Sequence, residues 1–331
     1  MGACPPETTT SILDYFFSQG GNFIDTSNNY QFEESETRIG AWMKARNNRD
    51  QIVLATKYTT NYLAVDPASS FPPKAQILAN FSGNGSKSMH LSVKASLEKL
   101  QTDYIDLLYV HWWDFSVSIP ELMQSLNHLV AAGKVLYLGV SDTPAWVVAK
   151  ANEYARGHGL RQFSVYQGKW SAAARDFERE IIPMCREEGM ALAPWGALGG
   201  GKFKKREEGG RAGQVTEQEA RVGEVLAGIA ERKGTAVTSV AQAYVCAKAP
   251  YVFPIVGCRT LEHLKGNIEA LKVRLSAEEI REIEAAVPFD LGFPANFIWG
   301  AEVPEEPGNA VFLAMGGTLD HVPEPKPYAR E

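Results

Sequence analysis

Two periods alternate along the chain. Short apolar or period-two runs at Asn22–Thr26, Ile52–Lys57, Tyr104–Val110, Val135–Val140, Phe163–Tyr166, Met190–Ala193 and Val252–Val256 read as strands. Segments of helical period lie between them. Glu7–Gln19 is the first, stopped by Gly20 and Gly21. Glu33–Ala45 follows with Ile39, Trp42 and Met43 on its apolar side, and then Ser88–Leu100 with Leu91, Ala95, Leu97 and Leu100. Pro120–Ala132 ends at Gly133. The next helix opens at a Thr143 cap with Pro144 in its first position and stops near Gly159. Arg175–Glu188 and Val237–Ala249 are further helices. The capping boxes Thr216…Glu219 and Ser276…Glu279 open two more, and Thr260 caps another.

Strands alternating with helices predict a parallel sheet in an α/β fold of the (β/α)8 TIM-barrel type. At 331 residues the chain is the size of one such domain, spanning 1–331. The strand count is seven, beginning near Asn22, where a closed barrel has eight. An open apolar edge invites pairing, so the free edge of Asn22–Thr26 is expected to be covered by the N-terminus, the C-terminal tail or a second copy in a homo-oligomer. Tyr58–Ser86, with Pro67, Pro72, Pro73, Gly83 and Gly85, reads as a long loop after Lys57. The proline-rich segment 288–331 is expected to be an irregular tail.

Composition narrows the function. Hydrophobic residues make up 45% of the chain, enough for a sizeable core. A net charge of −6 argues against a general nucleic-acid binder, which needs a basic face. Cys4, Cys185, Cys246 and Cys258 lack C-x-x-C spacing and read as reduced thiols of a cytosolic protein, with no metal expected. No apolar run approaches membrane-span length, and Met1–Pro6 lacks a signal-peptide core. Pro6 also stands where a myristoylation signal has Ser or Thr. The expected location is the cytoplasm.

The chemistry gathers at strand ends. Asp25, Lys57 and His111 close three successive apolar runs, and Tyr30 follows Asp25 by five residues. C-terminal strand ends of such a barrel converge on one site. Free tyrosine has a pKa of about 10, and a neighbouring ammonium favours its phenolate. Tyr30 is therefore the candidate acid, Lys57 its activator, Asp25 the anchor of the lysine, and His111 a donor to a developing alkoxide. No Gly-x-Gly-x-x-Gly follows a strand, so a dinucleotide would not lie in a Rossmann crevice. Gly257-Cys258-Arg259-Thr260 opens a helix, where backbone N–H groups and the Arg259 fork suit a phosphate. That pairing favours a ligand carrying a phosphate over the same ligand without it.

The chain resembles the aldo-keto reductases. The likeness rests on "NFIDTSNNY", "LATKY", "YVHWWD", "GVSD", "VYQGKW", "PWGALGGGKF" and "VGCRTLEHLKGNIEAL", in order, from about Glu7 to Pro294. In detail it is similar to the fungal aryl-alcohol dehydrogenase and norsolorinic-acid-reductase-like branch. The family carries an N-terminal hairpin and a strand before the first helix seen here. The resemblance implies NADP(H)-dependent reduction of an aldehyde or ketone, aromatic or polyketide-derived, to an alcohol. It implies that Ser141, Asp142 and Gln167 bond the nicotinamide carboxamide, with Asp142 standing where the family commonly has Asn. Trp195 would stack under the ring. Gly196, Leu198, Gly199 and Gly201, with Lys202, Lys204 and Lys205, would take the pyrophosphate. Gly257, Arg259, His263 and Asn267 would hold the adenosine end, where Gly266 replaces a common Glu. Trp112 would join Tyr30 and His111 in binding substrate, and Trp113 would add an aromatic wall. Two other readings remain. One is a dehydration or isomerisation of a biosynthetic pathway on the same fold. The other is a cofactor-binding regulatory subunit, as potassium-channel β subunits of the superfamily are.

Overall fold

The computed structural model describes residues 4–63, 77–203, 215–300, 310–317 and 325–331. The chain forms two compact units. One contains Met1–Gln167, Glu188–Met190 and Gly257–Leu264; the other contains Gly168–Glu187, Ala191–Val256 and Lys265–Glu331.

The first unit opens with α1 (Pro6–Ser18), β1 (Phe23–Asp25), α2 (Glu34–Arg46), β2 (Val53–Tyr58) and α3 (Ser86–Leu100). It continues with β3 (Ile105–Val110), α4 (Ile119–Ala131), β4 (Val135–Ser141), α5 (Ala145–His158) and β5 (Phe163–Lys169, whose last two residues belong to the second unit). Neighbouring strands pair in parallel and in chain order, with Ile24 opposite Leu54, Ala55 opposite Leu107, and Lys57 opposite Tyr109. This is the α/β alternation of the (β/α)8 class.

Period two sorts the side chains between the sheet faces. Ile24 and Leu54 join Leu13, Ile39, Trp42, Met43, Ile52 and Leu100 in the core between helices and sheet. Ala55, Leu107 and Tyr109 pack together on the opposite face, with Val165 against them. The same alternation puts Lys57 and Asp25 on that second face. Gly139 lies opposite Tyr109 because nothing larger fits: a Cβ there would stand 2.5 Å from the Tyr109 ring. Trp42 Nε1 donates to Asp14, which also takes a paired contact from Arg46, so α1 is tied to α2.

In the second unit, α6 (Ile181–Glu187) precedes β6 (Ala191–Trp195), and α7 (Glu217–Lys233) and α8 (Val237–Lys248) follow. α9 (Leu261–Glu269) begins in the first unit, and α10 (Ala277–Ala285) belongs wholly to the second. Glu178 is buried here beneath Trp170, Arg175 and Lys248, with Tyr244 and Glu284 completing the cluster. Both expected capping boxes form.

Several expectations change. The seventh strand is reduced to two bridges, Leu192 with Val252 and Trp195 with Ile255. Phe253 and Ile255 both donate to β6 carbonyls, but Pro194 of β6 has no N–H to give back between those two bridges. Thr143 does not cap α5. Its hydroxyl donates to the Ser141 carbonyl, and Pro144 takes the cap position, with the helix starting at Ala145. The helix expected over 175–188 is a 3-10 turn at Asp176–Glu178 followed by the shorter α6. The tail contains helical turns at Ala295–Trp299 and Val311–Ala314, and Arg330 bridges to Leu275. β1 pairs with β2; among the described residues no strand occupies its other edge, and Phe23 is 37% exposed. The first helix is where it was expected: residues 4–21 contribute α1 and no strand. Among the described residues no helix is long and apolar enough to cross a membrane.

Candidate active site

Within the first unit, β1 and β2 end side by side and deliver Asp25 and Lys57 to one place. Lys57 Nζ lies 2.5 Å from Asp25 Oδ1 and donates to the Thr26 carbonyl at 2.7 Å. Its side chain is fully buried and that of Asp25 is 7% exposed. A lysine so desolvated requires a partner, because an unpaired buried charge is far costlier than a paired one. Gln167, on β5, donates from Nε2 to the other Asp25 oxygen at 2.9 Å. The lysine therefore has little freedom to move. Its Nζ stands 5.0 Å from the Tyr30 ring centroid and 5.6 Å from that of Tyr109.

Tyr30 and His111 face each other edge to face, with ring centroids 5.9 Å apart. The four residues expected to share a site thus come together. The His111 Nδ1 side meets Ser27 Oγ at 3.3 Å and Thr60 Oγ1 at 3.4 Å. The Trp112 indole N–H donates to the same Thr60 hydroxyl at 3.0 Å. Trp112 is 38% exposed, whereas Trp113 is 8% exposed and packs edge-on against Phe115, so only the former offers a surface.

Burial, and then the positive charge of Lys57, push the His111 pKa down to about 3. The ring is therefore neutral at physiological pH. The depressed value means that the unfolded chain takes up this proton first as pH falls. Stability from this site is complete above about pH 6.5 and drains away toward pH 3, by at most about 1.4 kcal/mol per pH unit. In a histidine NMR titration, the His111 resonances are expected to stay in their neutral positions down to pH 5. A midpoint near the free value of about 6.5 would contradict the packing described here.

Ser141 ends β4 with its hydroxyl buried and without a hydrogen-bond partner among the described residues. An orphaned hydroxyl of this kind awaits a polar group, and a carboxamide fits. Asp142 is exposed, has a positive φ of 42°, and donates its N–H to the Gln167 carbonyl. Gln167 has its amide nitrogen committed to Asp25. Farther along the same unit, Gly257, Arg259 and His263 are all exposed. Thr260 Oγ1 caps α9 by accepting from the His263 N–H at 3.2 Å.

In the second unit, Trp195 closes β6, 37% exposed, and its carbonyl accepts from the Trp170 N–H at 3.1 Å. Gly196, Gly199, Gly200 and Gly201 all have positive φ. At Gly199 a Cβ would also fall 2.4 Å from the Phe203 ring, so this turn depends on glycine twice over. Leu198 is half-buried within it. Lys202 makes an ion pair with Glu219 at 2.7 Å. The Asn267 carbonyl accepts from Gln242 at 3.2 Å. Lys204 and Lys205 lie outside the described residues.

Sequence reasoning missed the hydroxyls of Ser27 and Thr60 and the buried phenol of Tyr109. The register of β2 with β3 would have revealed the last. A lysine opposite a tyrosine on one sheet face must share that face with it. Ser27 lies in the motif next to Thr26 but carries no periodic signal of its own.

Known proteins resemble this chain over most of its length. Residues 1–288 match the model of the aldo/keto reductase family. The chain is 57% identical to norsolorinic acid reductase B of Dothistroma septosporum, over 98% of this chain and 85% of that protein. It is 59% identical to norsolorinic acid reductase A of Aspergillus parasiticus, over 90% of this chain and 76% of that protein. A probable aryl-alcohol dehydrogenase of Saccharomyces cerevisiae is 54% identical, over 90% of this chain and 93% of its own length.

Proposed function

The chain belongs to the aldo/keto reductase family, and we propose that it reduces aromatic or polyketide-derived aldehydes or ketones with NADPH, Tyr30 giving the proton. The observation that carries this reading is the buried Lys57–Asp25 pair set beside Tyr30, with neutral His111 across from the phenol. A bound nicotinamide dinucleotide supplies the hydride. Tyr30 supplies the proton to the carbonyl oxygen, and Lys57 lies beside the negative charge left on the phenol. Asp25 and the Thr26 carbonyl hold the ammonium so that it need not reorganise as that charge forms. Neutral His111 orients the carbonyl by hydrogen bonding. Ser141, Asp142 and Gln167 are proposed to hold the carboxamide, and Trp195, the Gly196–Lys202 turn, Lys205, His263 and Asn267 to bind other parts of the cofactor.

Aromatic substrates are favoured by the exposed face of Trp112 beside His111, and by the substrates in the names of the norsolorinic acid reductases and the aryl-alcohol dehydrogenase. Arg259 is proposed to bind the 2′-phosphate that NADPH has and NADH lacks. A charge-assisted hydrogen bond is worth about 1.5–3 kcal/mol, so Arg259→Ala is expected to weaken NADPH roughly 10- to 150-fold and NADH little. The check is cofactor oxidation with a panel of aryl aldehydes and ketones, run with both cofactors. Equal losses for the two cofactors would remove the Arg259 assignment, and failure of every aromatic carbonyl would remove the substrate class.

A further inference from the structure

Immediately after Tyr30 the backbone does something unusual. Gln31, Phe32 and Glu33 have φ of 48°, 53° and 74°, three successive left-handed residues without a glycine. Side chains disfavour that region, and a run of them persists only where surrounding contacts hold it. Gln31 and Phe32 are exposed, and Glu33, the last of the three, is held by Lys99, the penultimate residue of α3. Its Nζ donates to the Asn28 carbonyl at 3.1 Å and pairs with Glu33 Oε2 at 3.1 Å and Glu36 Oε2 at 2.9 Å. It also stands 4.9 Å above the Tyr62 ring centroid.

Lys99 therefore grips the loop on both sides of Tyr30, at Asn28 before it and at Glu33 after it. Asn28 is itself fully buried, donating from N–H to the Lys57 carbonyl and from its amide to the Thr60 carbonyl. Glu36 is fully buried too, and its other oxygen accepts from the Thr56 hydroxyl at 2.6 Å, one residue before Lys57. One cation thus ties the loop bearing Tyr30 to the strand bearing Lys57. We infer that Lys99, acting through Glu33 and Glu36, is a positioning residue that sets the Tyr30 hydroxyl against the substrate carbonyl. The inference rests on the reading of Tyr30 as the proton donor. Lys99 touches none of the groups assigned to cofactor or substrate, so its effect should appear in the chemical step and not in binding. Misplacement of a reacting group by about 1 Å can cost on the order of 10²-fold.

Three variants test the inference on one aryl aldehyde, with kcat, KM, NADPH affinity from tryptophan fluorescence, and thermal midpoint measured for each. Glu33→Gln keeps the shape of a partly exposed side chain and leaves Glu36 its cation. It is expected to lower kcat about 10-fold with affinity, KM and midpoint unchanged. Lys99→Met also strips Glu36 of its partner, and is expected to lower kcat about 10²-fold. If that variant does not fold, Glu33→Gln decides alone. Tyr30→Phe is the reference. Loss of turnover in Tyr30→Phe with full kcat in folded Glu33→Gln would overturn the positioning role alone. A kcat falling only with the fraction folded would do the same. Full turnover in Tyr30→Phe would remove the underlying assignment, whatever Glu33→Gln shows.

Discussion

Tyr30→Phe is expected to lower kcat about 10²–10⁴-fold while leaving NADPH affinity unchanged, since a positioned acid contributes a factor of that size. The substitution removes one oxygen and keeps the ring. The edge contact with His111 and the Lys57 ammonium over the ring therefore survive. The site remains assembled but has no phenolic proton to give. Single-turnover reduction of an aryl aldehyde, set beside equilibrium binding of NADPH, separates the two effects. A variant with full turnover would show that the proton comes from elsewhere.

Lys57→Met is expected to lower both activity and stability. Removing the ammonium leaves the Asp25 carboxylate almost buried, with the Gln167 amide donor as its remaining hydrogen bond among the described side chains. Leaving one member of a buried pair alone typically costs about 3–5 kcal/mol. Activity is expected to fall at least about 10²-fold, because no positive charge then faces the phenolate. Denaturant unfolding gives the stability part. The double variant Asp25→Asn, Lys57→Met supplies the control, since it removes both charges. It is expected to regain much of the stability and none of the activity. A single variant as stable as the parent would mean that the pair is solvated and not held as described.

The elements that build the site were legible because they are the most regular part of the chain. Apolar runs ending in Asp25, Lys57 and His111 mark strand ends whatever the tertiary context, and α/β alternation carries those ends to one side. The parts that escaped are those in which a local signal is overruled. Lys99 reads as a polar position of an amphipathic helix, but its long stem carries the charge inward to Glu36. Gln31, Phe32 and Glu33 are not turn formers, so nothing in their chemistry announces left-handed backbone. Thr143 followed by Pro144 matches a helix start, yet the threonine hydroxyl is spent on the Ser141 carbonyl instead. Val252–Val256 has the composition of a strand, but Pro194 of the neighbouring β6 has no N–H to give it, and two bridges form.

In the proposed reaction, hydride goes from the nicotinamide to a carbonyl carbon while Tyr30 protonates the oxygen. The most direct measurement uses NADPH carrying deuterium at the transferring position of C4, with mass spectrometry of the alcohol formed from an aryl aldehyde. One deuterium on the former carbonyl carbon for each NADPH oxidised is the expected result, with the rate collapsing in Tyr30→Phe. A product formed without deuterium, or formed while NADPH is not consumed, would contradict the reductase reading and point to a dehydration or isomerisation on the same fold.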